Sequence, residues 1–140
     1  DLLLNYLIIY LVKSLRQTGN QFNYKSEREL RFGYIKEEDS SEEKLKKLNE
    51  VKETIPDAIF YANENIIAIE LELSKKEKNR YREKFRYFDN LIKNGNYTEI
   101  WYFVDSKKVE NALIAAREEV MINKNRLKIN YIPKAVKGAE

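Results

Sequence analysis

Cysteine and histidine are both absent from the 140 residues of this chain, and there are only four glycines and two prolines. Without cysteine there is no disulfide, no thiolate nucleophile and no cysteine-ligated zinc. Without histidine, a Ser-His-Asp triad and imidazole metal ligands are also excluded. Any enzyme built from this chain must therefore use carboxylates, lysine, tyrosine or a bound hard cation.

The composition is that of one domain with a mixed-charge surface. Hydrophobic residues make up 43% of the chain, enough for a core at this length. Charged residues make up 35%, and the net charge of +3 says little about a polyanionic partner. The apolar opening over residues 2–12 is too short to span a bilayer, so we expect a buried helix and no membrane partner.

The hydrophobic pattern predicts helices and strands in alternation. In chain order, we expect a helix that ends at Thr18, an extended piece at 21–24, a capping box at Ser26 and Glu29, an amphipathic helix within 35–54, strands at 58–61 and 66–73, a helix at 75–93, a strand at 98–104, a helix at 106–120 and a strand at 126–132. This order predicts an α/β fold with a mixed β-sheet flanked by helices, in which the last two strands run parallel through a right-handed crossover. The tail after Pro133 is expected to be frayed.

Carboxylates alternate with aliphatic side chains in the strand expected at 66–73. Alternation places Glu70 and Glu72 on one face, and Ile69 and Leu71 on the other. A tight hairpin turn would bring Asp57, which opens the preceding strand, close to Glu70. Converging carboxylates are costly unless a cation neutralises them, which favours Mg²⁺ or Mn²⁺ at this acidic set. Alternatively, the two glutamates form the solvated face of a half-exposed strand and pair with nearby lysines.

Two segments carry a resemblance to a known family. The sequence Ile-Pro-Asp-Ala-Ile-Phe at 55–60, followed by Ile-Ala-Ile-Glu-Leu-Glu at 67–72, resembles the core of the PD-(D/E)xK nuclease superfamily. More narrowly, residues 56–57, 70–72 and 74–87 resemble plasmid replication-relaxation and mobilisation-type proteins. The resemblance implies a restriction-endonuclease-like core over residues 1–140, a cytoplasmic location, and DNA and other plasmid replication or transfer proteins as partners. In that family such a domain commonly follows a winged-helix region, and the start on Asp1 leads us to expect such an N-terminal part.

The resemblance also implies roles for individual residues. In the superfamily the aspartate and the first glutamate hold a divalent metal, which implies Asp57 and Glu70 as ligands of Mg²⁺ or Mn²⁺. The superfamily lysine would fall at Glu72, which implies a second metal ligand or a base that orients water. Alternatively Lys75, just past the strand, reaches back as a migrated lysine. The predicted catalytic set is therefore Asp57, Glu70, Glu72 and Lys75, of which the three acidic residues are the predicted metal ligands.

A second acidic pair precedes the hairpin. Glu27 and Glu29 follow the expected capping box, and either could supply a further metal ligand. The alternative is that both are ordinary charges at a helix terminus, where carboxylates are favourable.

A basic segment follows the acidic strand. Its cations are Lys75, Lys76, Lys78, Arg80, Arg82, Lys84 and Arg86. On a helix Lys76, Arg80 and Lys84 share one stripe, and we predict that this stripe binds the phosphates of nucleic acid. A solvated helix face is the alternative. The opposite stripe, Tyr81, Phe85 and Phe88, is expected in the core.

Three functions remain open at this point. The first is a metal-dependent DNA endonuclease or nickase in plasmid replication or mobilisation. The second, favoured by the glutamate at position 72, is a catalytically inactive nuclease fold that binds DNA or docks a protein in the same process. The third is a small α/β domain without a site.

Overall fold

A computed structural model describes residues 1–51 and 54–139 of the chain. The elements in chain order are α1 (Leu2–Gln17), β1 (Phe22–Ser26), α2 (Glu27–Phe32), α3 (Ser41–Val51), β2 (Ala58–Ala62), β3 (Asn65–Glu72), α4 (Lys78–Lys93), β4 (Glu99–Val104), α5 (Lys107–Val120), β5 (Leu127–Tyr131) and α6 (Lys134–Lys137). The segment predicted to end the third helix includes residues 52–53, which lie outside the described residues. Within the described ranges no helix is both long and apolar enough to cross a membrane.

The five strands form one open sheet in the order β1-β2-β3-β4-β5. The pairs β1–β2 and β2–β3 are antiparallel, whereas the pairs β3–β4 and β4–β5 are parallel. The predicted parallel pairing of the last two strands is therefore confirmed, as is the α/β fold with a mixed sheet flanked by helices. The hairpin between β2 and β3 turns at Asn63, whose φ of 56° suits asparagine better than most residues. The specific restriction-endonuclease-like core stays a prediction.

Helices α4 and α5 cover one face of the sheet. Each buries a stripe at helical spacing: Tyr81, Phe85 and Phe88 in α4, and Val109, Leu113 and Ala116 in α5. Both stripes were expected from the sequence. Burial of each large apolar side chain contributes roughly 1.5–3 kcal/mol relative to exposure, so α4 is held firmly against β3 and β4.

Helices α1 and α6 lie on the opposite face. The Asp1 side chain caps α1 by accepting from the Leu3 N–H at 2.8 Å, and Leu3, Leu7 and Leu11 are buried. The expectation of a frayed tail after Pro133 is wrong. Val136 in α6 is only 2% exposed and joins the same apolar cluster as the leucines of α1, so its burial offsets the entropy cost of ordering the tail.

Candidate functional site

Asp57 and Glu70 meet where β2 begins. The hairpin register pairs Ala58 with Ile69, which places the preceding Asp57 beside Glu70. The Asp57 N–H donates to Glu70 Oε1 at 3.1 Å, and the Leu71 N–H donates to Asp57 Oδ2 at 2.7 Å. Backbone donors thus hold both carboxylates in place, and the expected approach of Asp57 to Glu70 is confirmed.

Glu70 lies under α4 and not on a solvated face. The alternation predicted for β3 is confirmed, because Ile67 and Ile69 join the α1 cluster while Glu70 points to the α4 side. Glu70 is only 6% exposed, so the solvated face expected in the alternative is wrong for this residue, whereas its pairing with a nearby lysine is confirmed. A buried carboxylate needs donors or a cation, because losing its hydration costs several kcal/mol or more.

Lys84 of α4 supplies that cation. Its Nζ lies 2.7 Å from Glu70 Oε2, and the lysine side chain is 27% exposed. Since the Asp57 N–H holds Oε1, both oxygens of Glu70 have a donor. Sequence reasoning assigned Lys84 to a nucleic-acid-binding stripe and missed this contact. The available signal was its position on α4, three residues after Tyr81 and four before Phe88, at the border of the buried stripe.

The two carboxyl groups resist ionisation at this junction. Burial raises the pKa of Glu70 to about 7, although the Lys84 ammonium acts in the opposite direction. Burial also raises the pKa of Asp57, against the hydrogen bond from Leu71. Burial, the largest single influence, lowers the pKa of Lys84, but the carboxylates of Glu70, Asp57 and Glu72 together raise that pKa above its ordinary value. A second cation at this place would lower the remaining free-energy cost of ionising Asp57 and Glu70.

Glu72 and Lys75, the other two predicted catalytic residues, make different contacts. Glu72 Oε1 pairs with Lys76 Nζ at 2.9 Å, and the same ammonium donates to Ser74 Oγ at 2.9 Å. Lys75 is exposed and does not line the cavity next to Asp57 and Glu70. The structure therefore brings Asp57 and Glu70 together with Lys84, and it brings Glu72 together with Lys76.

A cavity of about 670 Å³ opens over this junction. Its lining carries five carboxylates and three cations, and includes Glu27, Asp57, Glu70, Glu72, Lys76, Arg80, Glu83, Lys84 and Tyr87. All three residues predicted to bind nucleic acid lie on this cavity. Lys76 precedes α4, so the three do not form one helical stripe, but Arg80 and Lys84 lie on the same side of the helix.

Glu27 and Glu29 occupy different positions. Glu27 lines the cavity and pairs with Arg31 at 3.4 Å, and its N–H donates to the Asp57 carbonyl at 3.0 Å. Glu29 instead closes the capping box on Ser26, as its spacing predicted. Of these two glutamates, Glu27 is therefore the one close enough to the junction to contribute charge there. It raises the pKa of Asp57, although by less than burial does.

Tyr102 adds a polar atom that the sequence did not point to. It lies opposite Glu70 in the β3–β4 register, and its ring packs on Phe85 at 5.5 Å between centroids. Within the described part of the chain its buried hydroxyl has no hydrogen-bond partner. Burial, followed by the nearby carboxylates of Glu70 and Glu72, raises the pKa of Tyr102. The hydroxyl therefore keeps its proton and lies beside the site as a donor without an acceptor.

Comparisons with protein-family models, curated proteins and solved structures find no match to this chain. The resemblance to the PD-(D/E)xK superfamily thus stays a prediction.

Asp57 and Glu70 fit Mg²⁺ or Mn²⁺ as a pair of hard oxygen ligands. Across residues 1–51 and 54–139, no group of three acidic side chains is arranged to hold a metal ion. Mg²⁺ usually takes one or two protein carboxylates and completes its shell with water and substrate phosphate oxygens. The donor chemistry therefore suits a two-carboxylate site, in which Lys84 competes with the metal for Glu70.

Proposed function

We propose that this chain is a metal-dependent DNA endonuclease-like domain whose catalytic centre is formed by Asp57, Glu70 and Lys84. One observation carries the proposal: the Asp57 N–H donates to the Glu70 carboxylate, which places the two carboxyl groups on one cavity, and Lys84 from the next helix pairs with Glu70 there. Carboxylates that bind a hard cation, together with a fixed positive group, are what phosphodiester hydrolysis requires.

Each residue has a role that follows from its contacts. Asp57 and Glu70 would hold Mg²⁺ or Mn²⁺, which when bound polarises a phosphoryl oxygen and acidifies a water. The Lys84 ammonium, placed beside Glu70, stabilises negative charge that develops on the phosphoryl oxygens. Lys76 and Arg80 on the cavity wall offset the charge of the flanking phosphates. Lys84 thus takes the part for which Lys75 was the sequence candidate.

The narrower proposal is action in plasmid replication or mobilisation. Its support is the sequence resemblance over residues 56–57, 70–72 and 74–87 alone.

A second candidate is a catalytically inactive nuclease fold that binds DNA or docks a protein in the same process. The Lys84–Glu70 ion pair favours it, because an ammonium at 2.7 Å already neutralises the carboxylate that a metal would need. Glu72 at the superfamily lysine position points the same way.

Nicking of supercoiled plasmid in Mn²⁺ separates the two candidates. Wild type should convert the plasmid to the open circle, and Asp57→Asn or Lys84→Gln should slow this by about 100-fold or more, because each removes a positioned catalytic group. Lys108→Gln is the matched control, since Lys108 is exposed on α5 and does not line the cavity. A wild type that binds the plasmid without nicking it would overturn the endonuclease proposal in favour of the inactive module. Nicking that persists in Asp57→Asn would show that another centre is responsible.

A further inference from the structure

A row of tyrosines adjoins the acidic cavity on the α4 side of the sheet. Tyr61 in β2 points to this side, because its neighbour Phe60 joins the α1 cluster on the other. Tyr61 pairs with Ile66 of β3. The Ile66 carbonyl accepts from the Thr98 N–H at 2.8 Å, so the chain at Tyr97 passes on the other side of Ile66 from Tyr61. The row therefore begins near the β1–β2 edge and runs toward α4.

The row continues along α4 into the cavity. The ring of Tyr97 meets Phe88 at 6.2 Å between centroids, and Phe88 meets Tyr87 at 6.1 Å. Tyr87 itself lines the acidic cavity. Burial raises the pKa of Tyr97, and smaller contributions come from Tyr87, Tyr34, Glu70 and Tyr61. The tyrosine row is defined here as Tyr61, Tyr87 and Tyr97, which the strand pairing and the ring contacts place.

These rings differ from the tyrosines of the core. Tyr87 is 38% exposed, and Tyr61 and Tyr97 are half-buried, whereas Tyr81 and Tyr102 are almost fully buried. Neighbouring rings hold Tyr87 and Tyr97 in place while part of the row stays open to solvent. A ring that is already ordered loses little entropy when it stacks on a ligand.

Cations accompany the row at both ends. Lys25 Nζ lies 5.9 Å from the centre of the Tyr61 ring at the sheet edge. Lys76, which pairs with Glu72, and Arg80 line the cavity at the other end, as Tyr87 does. Aromatic rings interleaved with cations are what a single nucleic-acid strand requires, because its bases stack on the rings and its phosphates meet the cations. Base pairs of a duplex are stacked on each other and do not offer their faces to such rings.

We propose that the tyrosine row binds single-stranded DNA by stacking on successive bases, with Lys25, Lys76 and Arg80 on the phosphates. The choice of DNA rests on the proposed function, whereas the preference for a single strand rests on the row itself. The strand would run from the β1–β2 edge toward Asp57 and Glu70, so its backbone reaches the candidate catalytic pair. A substrate with a melted or displaced strand would then be favoured over intact duplex.

Fluorescence anisotropy in EDTA tests this binding without metal or cleavage. The probes are a labelled oligothymidine of about 20 nucleotides, long enough to exceed the site of one small domain, and a duplex of equal length. Wild type should bind the single strand about 10-fold or more tightly than the duplex. Tyr87→Ala and Tyr61→Ala should each weaken single-strand binding by about 5- to 100-fold, the range found for loss of one stacking ring, and leave duplex binding unchanged.

Two variants control for indirect effects. Tyr10→Ala removes a ring of the same exposure, 38%, from α1 on the opposite face, and should change nothing. Tyr87→Phe should keep wild-type affinity because stacking uses the ring and not the hydroxyl. Equal affinity for both probes, or full affinity in folded Tyr87→Ala and Tyr61→Ala, would overturn the proposal. Because no cleavage is measured, a plasmid that is never nicked would refute the endonuclease proposal and leave this one standing.

Discussion

Replacing Glu70 by glutamine should change how the stability of this protein depends on pH. Burial raises the pKa of Glu70 from 4.5 to about 7. Between these values the folded state keeps a proton on Glu70 that the unfolded chain has released. Because the folded state then binds more protons, the free energy of unfolding of the wild type falls as pH rises through this window. Below the window both states are protonated, and above it both are ionised.

The size of this loss follows from the pKa change. A rise from 4.5 to about 7 corresponds to about 3 kcal/mol of stability lost by the upper end of the window. Glutamine keeps the shape and an acceptor for the Asp57 N–H but has no charge to bury. The stability of Glu70→Gln relative to wild type should therefore improve by about 3 kcal/mol between pH 4.5 and pH 8.

Urea unfolding in EDTA, followed by circular dichroism from pH 4.5 to pH 8, measures this difference. Glu64→Gln is the matched control, because Glu64 is exposed in the hairpin turn and its curve should run parallel to wild type. If the curve of Glu70→Gln also runs parallel to wild type, then Glu70 does not carry a raised pKa and the reasoning about its burial is refuted.

Two further predictions concern the cations of the cavity. Lys84→Met should lower the free energy of unfolding by about 3–5 kcal/mol at pH 8, because it leaves the Glu70 charge buried without its partner. The loss should be clearly smaller at pH 5, where Glu70 is protonated. Urea unfolding at the two pH values checks this, and an equal loss at both would contradict it. Lys76→Gln combined with Arg80→Gln should weaken DNA binding and lower the slope of log affinity against log salt by about 1–2, as expected for the loss of two phosphate contacts. A salt titration by anisotropy measures the slope, and an unchanged slope would exclude these two residues from the interface.

The meeting of Asp57 with Glu70 was predictable because it depends on local sequence. Alternation in β3 fixes which side Glu70 faces, and the hairpin register fixes what lies opposite. The contact of Lys84 depends instead on how far α4 is shifted along β3, which packing of its buried stripe determines. Periodicity shows which stripe is buried but not which strand residue each helix turn meets.

The remaining surprises have the same origin in long-range packing. Val136 is buried only because α1 lies beside it, and nothing in the four-residue α6 itself indicates this. The tyrosine row draws on residues 61, 87 and 97, which the β2–β3 pairing, the Thr98–Ile66 hydrogen bond and the rings of α4 bring to one side of the sheet. Tyr61 lies more than twenty residues from the other two, so the sequence alone does not place it with them.

Titration of Mn²⁺ followed by thermal melting tests most directly whether Asp57 and Glu70 form a cation site. A ligand that binds only the folded state stabilises it, by about 2.7 kcal/mol at 100 times its dissociation constant. The wild type and the Glu64→Gln control should both melt at higher temperature as Mn²⁺ rises, and Asp57→Asn should not respond. A rise of the same size in Asp57→Asn, or no rise in the wild type, would contradict the proposed metal site.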